Sequence, residues 1–263
     1  LLSEKLRERF LRSLAISFFT EQTQEKLLNS SVLVIGCGGL GSPALLYLAA
    51  AGAGTIGLVD SDVVELSNLQ RQVIHDEKNT GMAKTESAEL KLRSLFPEIR
   101  VNRHQIRLNA GNIRDIIANY DVIIDACDNF PTRYLMCHAA YLENKPLMMG
   151  AVMEFSGQAT TIIPKRSACY ACLFPEPPPP PVFPKEKPLG IMGTSPGIIG
   201  MIQVTEAVKY IIGEGDLLEN TLLLYNGLDM DFIKLKYEKR QDCPICGANR
   251  DNDLTRWENL SQR

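Results

Sequence analysis

Gly36, Gly38, Gly39 and Gly41 follow directly on the apolar run of residues 32–35 in "VLVIGCGGLG". A strand, a glycine loop and a helix in that order make a phosphate site. The first N–H groups of a helix are unpaired, and its dipole favours an anion there. Asp60 ends the next apolar run, nineteen residues beyond Gly41, where a carboxylate can accept from ribose hydroxyls. Up to this point the pyrophosphate of NAD and the phosphates of ATP fit equally.

The charges that follow separate the two. "DSDVVELSNLQRQ" gathers Asp60, Asp62, Asn68, Arg71 and Gln72 in one polar stretch. Lys84 opens the next helical run, and "DACDN" sets Asp128 and Asn129 at the end of a later strand. Arg71 and Lys84 bring positive charge toward the glycine loop, and Asp128 is a hard oxygen ligand suited to Mg²⁺. Hydride transfer needs a flat pocket and orientation, not neutralisation of a triphosphate. Cationic side chains and a magnesium carboxylate are what attack on phosphorus requires. Taken singly, each has a plainer reading: Arg71 as a surface ion pair, Lys84 as a charge on a helix face, Asp128 as a helix N-cap. Together at the strand ends of one sheet, they favour ATP.

A second cluster concerns metal. Cys169-x-x-Cys172 and Cys243-x-x-Cys246 are separated by seventy residues. Either pair alone could be a redox site, but neither is followed at once by a helix as a thioredoxin motif is. Two pairs fit a tetrahedral Cys₄ zinc site, structural because four thiolates leave no open position for substrate. Cys37, Cys127 and Cys137 lie in apolar runs and read as small buried hydrophobes.

The elements that position these groups alternate. "SVLVIG", "TIGLVD", "RVNRHQIRL", "DVIIDACD" and "KPLMMGA" read as strands, with "SPALLYLAAAG", "AKTESAELKLRSLF", "GNIRDIIANY" and "TRYLMCHAAYLEN" as the helices between them. This predicts an α/β fold with a doubly wound, Rossmann-like, mostly parallel sheet that takes ligands at the carboxyl ends of its strands. Three more strand-like runs, "GQATTIIP", "NTLLLYNGLD" and "DFIKLKYE", and the helix "GIIGMIQVTEAVKYIIG" form a C-terminal, strand-rich extension stapled by zinc. Eight of the fifteen prolines fall in residues 175–188, which predicts an extended crossing loop. The expected division is an N-terminal helical segment at 1–28, an α/β nucleotide-binding core at 29–165 and the zinc-stapled part at 166–263, integrated as one domain.

At 263 residues, 45% hydrophobic and 22% charged, the chain has the composition of an ordinary globular protein. A net charge of −3 argues against non-specific nucleic-acid binding. No apolar run is long enough to span a bilayer, and "LLSEKLRERFLRSL" reads as an amphipathic surface helix rather than a signal peptide. The expectation is a cytoplasmic protein without membrane or nucleic-acid partners.

The motifs "GCGGLG", "DSDVVELSNLQRQ", "GMAKTESA", "DACDN", "CYAC" and "CPIC", in that order, resemble the ThiF/MoeB/HesA family, prokaryotic relatives of ubiquitin-activating enzymes. The resemblance runs from about Arg9 to Gly247. It implies ATP- and Mg²⁺-dependent adenylation of the C-terminal glycine of a ubiquitin-like sulfur carrier protein, by a homodimer, with sulfur supplied by a separate desulfurase or rhodanese. Carried over by residue, Gly36, Gly38, Gly39, Gly41 and the segment Ser67, Asn68, Leu69, Gln70 and Arg71 contact the nucleotide, with Asp62 beside them. Asp60 holds the ribose, Arg71 and Lys84 the phosphates, and Asp128 the magnesium with Asn129 next to it. In "RFLRS", Arg12 matches the arginine that reaches the partner subunit's phosphates, although Ser13 stands where the family has Gln. Relatives that capture the activated glycine covalently use a cysteine after the first zinc pair. This chain has none between Cys172 and Cys243, which implies a non-covalent acyl-adenylate.

Two rivals remain at this level. An NAD-dependent dehydrogenase requires a proton donor, and the three histidines lie in ordinary helix, strand or loop contexts. A catalytically silent nucleotide- or carrier-binding module is expected to lose the phosphate-binding cations or the magnesium carboxylate, and here Arg71, Lys84 and Asp128 are all present.

Overall fold

The structure is a computed structural model that describes residues 2–176 and 190–262. Most of the proline-rich crossing loop therefore lies outside the described residues. The five strands expected in the first half are β1 (Ser31–Ile35), β2 (Thr55–Val59), β3 (Arg100–His104), β4 (Val122–Asp125) and β5 (Leu147–Met153). The later three are β6 (Ser156–Ile162), β7 (Thr221–Asn226) and β8 (Asp231–Lys236). They form one sheet in the order β3-β2-β1-β4-β5-β6-β7-β8. Pairing is parallel from β3 through β5 and antiparallel from β5 to β8. The strand-rich extension thus continues the core sheet.

The helices are α1 (Glu4–Arg9), α2 (Leu11–Leu14), α3 (Glu21–Asn29), α4 (Gly41–Ala51), α5 (Lys84–Leu95), α6 (Ile113–Ile117), α7 (Phe130–Leu142), α8 (Tyr170–Leu173) and α9 (Thr194–Ile212). Leu45, Leu48, Leu92, Ile199 and Val204 bury α4, α5 and α9 on one face of the sheet. Ile113, Ile117, Tyr134, Leu135 and the cysteine cluster cover the other face. β1 and β4 read as unbroken apolar runs because both their faces are covered this way.

Two expected elements differ. The N-terminal surface helix is split at Phe10, whose ring turns inward edge-on to Phe96. The fourth strand was expected to run through Asp128 but ends at Asp125. Asp125 Oδ1 accepts from the Cys127 N–H at 3.0 Å, which turns the chain out of the sheet. Cys127 therefore lies in a turn and not on the strand.

Candidate nucleotide site and cysteine cluster

β1 leads to β2 on one side of the sheet, while its other neighbour is β4. The strand order reverses there, and a crevice opens at the carboxyl ends of β1 and β4. The glycine loop leaves β1 with Gly36 at φ +105°, where a side chain is strained. A Cβ on Gly36 would lie 2.4 Å from Ala126 O, so the loop and the turn after β4 touch backbone to backbone. Side chains would also spoil the next turn, since a Cβ on Gly41 would fall 1.9 Å from Gly36 O.

Buried polar groups hold this loop. Asp60 Oδ2 accepts from the Cys37 N–H at 2.8 Å, and its Oδ1 accepts from the Asp62 N–H at 2.8 Å. Asp60 thus ties β2 to the glycine loop. His75 Nε2 lies 3.0 Å from Cys37 O and its Nδ1 2.9 Å from Ser87 Oγ. The carbonyl at Nε2 can only accept, so Nε2 carries the proton and Nδ1 accepts from the serine hydroxyl. Burial lowers the His75 pKa, which keeps this ring neutral.

The polar stretch after β2 turns through a short 3-10 segment, Leu66–Asn68. Asn68 Oδ1 accepts from the Glu65 N–H, and Ser67 Oγ donates to Glu65. Arg71 donates to Ser67 O at 3.1 Å and makes no ion pair among the described residues. Among the described residues it is therefore not in the surface ion pair of the plainer reading. Gly39 lies between Arg71 and the first turn of α9: a Cβ there would sit 3.2 Å from Pro196 Cβ and 3.6 Å from Arg71 Cγ. Gln70 O packs against Gly193 in the same corner, and Leu69 is half-buried beneath.

Lys84 is the first residue of α5, 7% exposed, with its ammonium 2.8 Å from Asp62 Oδ2. It is a buried cation rather than a charge on a helix face. Ser61, Asp62, Val63, Glu65, Asn68 and Lys84 line an open polar cleft beside it. Across the crevice, Asn129 and not Asp128 caps α7, accepting from the Thr132 N–H at 3.0 Å. The exposed Asp128 carboxylate has one long contact, 3.4 Å from Asn129 Nδ2. The capping role of the plainer reading belongs to its neighbour.

Arg12 stands apart. It is exposed on α2, and Phe10 just before it packs beneath Gly52 at the far end of α4. An eleven-residue helix is about 16 Å long, so Arg12 is well removed from the glycine loop of its own chain.

The residues present fit a nucleotide and a magnesium ion. A Cβ on Gly38 would meet only Gln72, and the buried Oε1 of Gln72 has no partner among the described residues. Asp128 offers carboxylate oxygens not consumed by a cap. The four cysteines fit zinc. Cys169, Cys172, Cys243 and Cys246 are all buried, with sulfurs within 4.8 Å of one another. The S···S separations are 3.9, 3.4 and 3.3 Å, against about 3.8 Å across a tetrahedral Zn–S site. The other thiols offer no nucleophile. Burial raises the pKa of Cys37 and Cys127 well above the usual thiol range, with Asp60 and Asp125 respectively adding to it. The carboxylate acting on Cys127 is thus Asp125, not the adjacent Asp128.

The sequence as a whole agrees with this geometry, matching the ThiF family over residues 10–245. The chain belongs to the ThiF family. It is 45% identical over 240 residues to the SAMP-activating enzyme E1 of Haloferax volcanii, covering 91% of this chain and 88% of that one. It is 41% identical over 245 residues to the sulfur carrier protein adenylyltransferase of Thermus thermophilus, covering 91% and 90%. The adenylyltransferase and sulfurtransferase MOCS3 of Drosophila sechellia is 44% identical over 241 residues, and the match spans 53% of its length. Among solved structures, E. coli MccB with ATP superposes with a TM-score of 0.80 over 94% of this chain and 75% of that one. At 20% identity that likeness concerns the fold.

Sequence reasoning about this ThiF-family chain missed the residues behind the site. Asp125 is fully buried and pairs with Arg133, and Gln203 of α9 donates to Asp125 O and Met148 O. The signal was there: a charged residue ending the apolar run "VIID", and an arginine in the otherwise apolar helix that follows.

Proposed function

We propose that this chain uses ATP and Mg²⁺ to adenylate the C-terminal glycine of a ubiquitin-like sulfur carrier protein. The observation that carries this reading is the composition of the crevice at β1 and β4. Arg71, which makes no ion pair among the described residues, the buried Lys84 and the exposed Asp128 accompany the glycine loop. The carrier's carboxylate attacks the α-phosphorus of ATP, and the bond to the β-phosphate breaks to release pyrophosphate. Both reactants are anionic, so the work is charge neutralisation and positioning.

Arg71 and Lys84 hold the phosphates, and Asp62 fixes the Lys84 ammonium from its outer side. Asp60 holds the ribose at the loop it already clamps. Asp128 would hold the magnesium ion, which when bound would supply further charge neutralisation to the triphosphate. No general base is required, because the attacking carboxylate is ionised at neutral pH. Arg12 acts on the phosphates of the partner subunit in a homodimer, which accounts for its distance from its own loop.

Zinc on the four cysteines is structural. The acyl-adenylate is released to a separate sulfur donor protein, in the cytoplasm, without a thioester on this chain. No helix among the described residues is long and apolar enough to cross a membrane. The test is exchange of labelled pyrophosphate into ATP in the presence of candidate carriers ending in Gly-Gly. Exchange that depends on both Mg²⁺ and an intact terminal glycine is the expected result. Tight NADH binding with no exchange for any carrier would remove the reading.

A further inference from the structure

Asp128 bears no ion pair of its own among the described residues, yet it directly follows a residue whose backbone is held by buried side chains. Immediately before it, both polar groups of Cys127 are taken. Its N–H donates to Asp125 Oδ1 at 3.0 Å, and its carbonyl accepts from Arg133 Nη2 at 2.9 Å. The two side chains that hold it are themselves an ion pair, Arg133 Nε to Asp125 Oδ2 at 2.7 Å. Arg133 is 5% exposed and Asp125 is 0% exposed.

A third leg reaches the next strand, where Arg133 Nη2 also donates to Gly150 O at 2.9 Å. The guanidinium lies 5.8 Å from the centre of the Tyr170 ring, inside the first cysteine pair. Burying an ion pair at the core of the sheet is costly, and an apolar pair of similar size would serve stability as well or better. Such a pair would not hold both backbone polar groups of one residue, as this one holds the N–H and the carbonyl of Cys127. This one closes a ring through Asp125, Cys127 and Arg133, one residue from the metal carboxylate.

We infer that Arg133, with Asp125, is a positioning residue for the adenylation step, fixing the peptide that aims Asp128 at the metal. This rests on the function proposed above. Arg133 touches neither nucleotide nor carrier and acts through the Cys127 carbonyl. Its planar fork supplies several donors in fixed directions, and a lysine cannot reproduce this.

The experiment is a double-mutant cycle on the full chain, read as Mg²⁺-dependent ATP–pyrophosphate exchange with a Gly-Gly carrier. Arg133→Lys keeps the buried charge opposite Asp125 and loses the two-carbonyl grip. It is expected to lower the exchange rate about tenfold and to raise the free Mg²⁺ needed for half the maximal rate, as loss of an outer-shell partner of a metal ligand does. Asp128→Glu retains a carboxylate, so its residual rate remains measurable. In that background Arg133→Lys should cost less than about twofold, because both changes disturb one interaction.

If Arg133→Lys costs the same factor in both backgrounds, or slows exchange without moving the Mg²⁺ requirement, Arg133 serves the fold alone and the inference fails. If it does not fold, Asp125→Asn takes its place in the cycle, removing the pair's charge while leaving an acceptor for the Cys127 N–H. Exchange unaffected by Asp128→Ala removes the metal role and the positioning role together. Absence of exchange in the unaltered chain overturns the adenylation reading itself, an outcome distinct from the others.

Discussion

The crevice and the cysteine cluster handle polar groups in opposite ways. At the carboxyl ends of β1, β2 and β4, outer charges stay open: Arg71 is half-buried, and Asp128 is exposed. The groups behind them, His75, Asp125 and Arg133, are spent on holding backbone. Around Cys169, Cys172, Cys243 and Cys246 nothing is open. The sulfurs face one another under Tyr134, Tyr170, Ile245 and Trp257, within a single apolar cluster. One region keeps its charges available to a ligand that comes and goes. The other keeps a ligand set closed, joining Tyr170 of α8 to the chain beyond β8. Rate should therefore be concentrated in the first region and stability in the second.

The largest effect expected is on rate. Asp128→Ala should lower pyrophosphate exchange on the order of a thousandfold, the loss expected when a metal no longer neutralises the reacting phosphate. Its melting temperature should barely move, since the carboxylate is exposed and caps nothing. A large loss of stability would place Asp128 with the holding groups instead.

Arg71→Ala should come next, at about a hundredfold in rate, the usual cost of removing one donor aimed at developing charge. The single hydrogen bond to Ser67 O that it loses is too little to destabilise the fold. Normal rates in this variant would move the phosphate contacts elsewhere.

The third test works on the other region. Cys243→Ser should lose the metal and lower the melting temperature by about 10 °C, several kcal/mol for a domain of this size. Nucleotide affinity measured below the new transition should stay within about twofold, since the site shares no side chain with the cluster. Metal analysis and calorimetry check the first part, and ATP titration the second. Loss of affinity in a still-folded variant would erase the contrast between the regions.

The smallest effect concerns His138, at the margin of the cysteine region. Trp257 donates Nε1–H to His138 Nδ1 at 2.9 Å, and His138 Nε2–H donates to Asp251 O at 3.0 Å. Burial lowers the His138 pKa. The Asp251 carbonyl and carboxylate and the Cys243 thiol oppose this, and Arg256 adds to it. A histidine with a depressed folded pKa binds protons more readily when unfolded. Its contribution to stability is therefore complete above about pH 6.5 and declines as pH falls below that.

Protonating Nδ1 forfeits the tryptophan bond, worth about 1 kcal/mol, or about 3 °C in melting temperature. Trp257 is the only tryptophan and reports the transition by fluorescence. His138→Gln can make both hydrogen bonds without titrating, so its profile should be flatter between pH 7 and pH 5. Parallel profiles would show that the acid loss arises elsewhere, for example at His75, whose pKa burial also lowers.

What the amino-acid order determined by itself was local. Apolar runs marked all eight strands of the described residues, a glycine spacing marked the loop between β1 and α4, and two Cys-x-x-Cys pairs marked the cysteine cluster. Each is a short-range pattern set by backbone period, turn sterics or ligand spacing. What the tertiary structure decided was which polar groups are free and which are spent. Asp62 with Lys84, Asp60 with Cys37, and Asp125 with Arg133 and Gly150 are matched across different elements. Asn129 rather than Asp128 became the cap, its backbone extended just before α7 opens at Phe130. The stretch "DACDN" is equally compatible with either partition. A carboxylate's job is set by which donors the packed elements bring within 3 Å of it, and residue type and spacing do not carry that information.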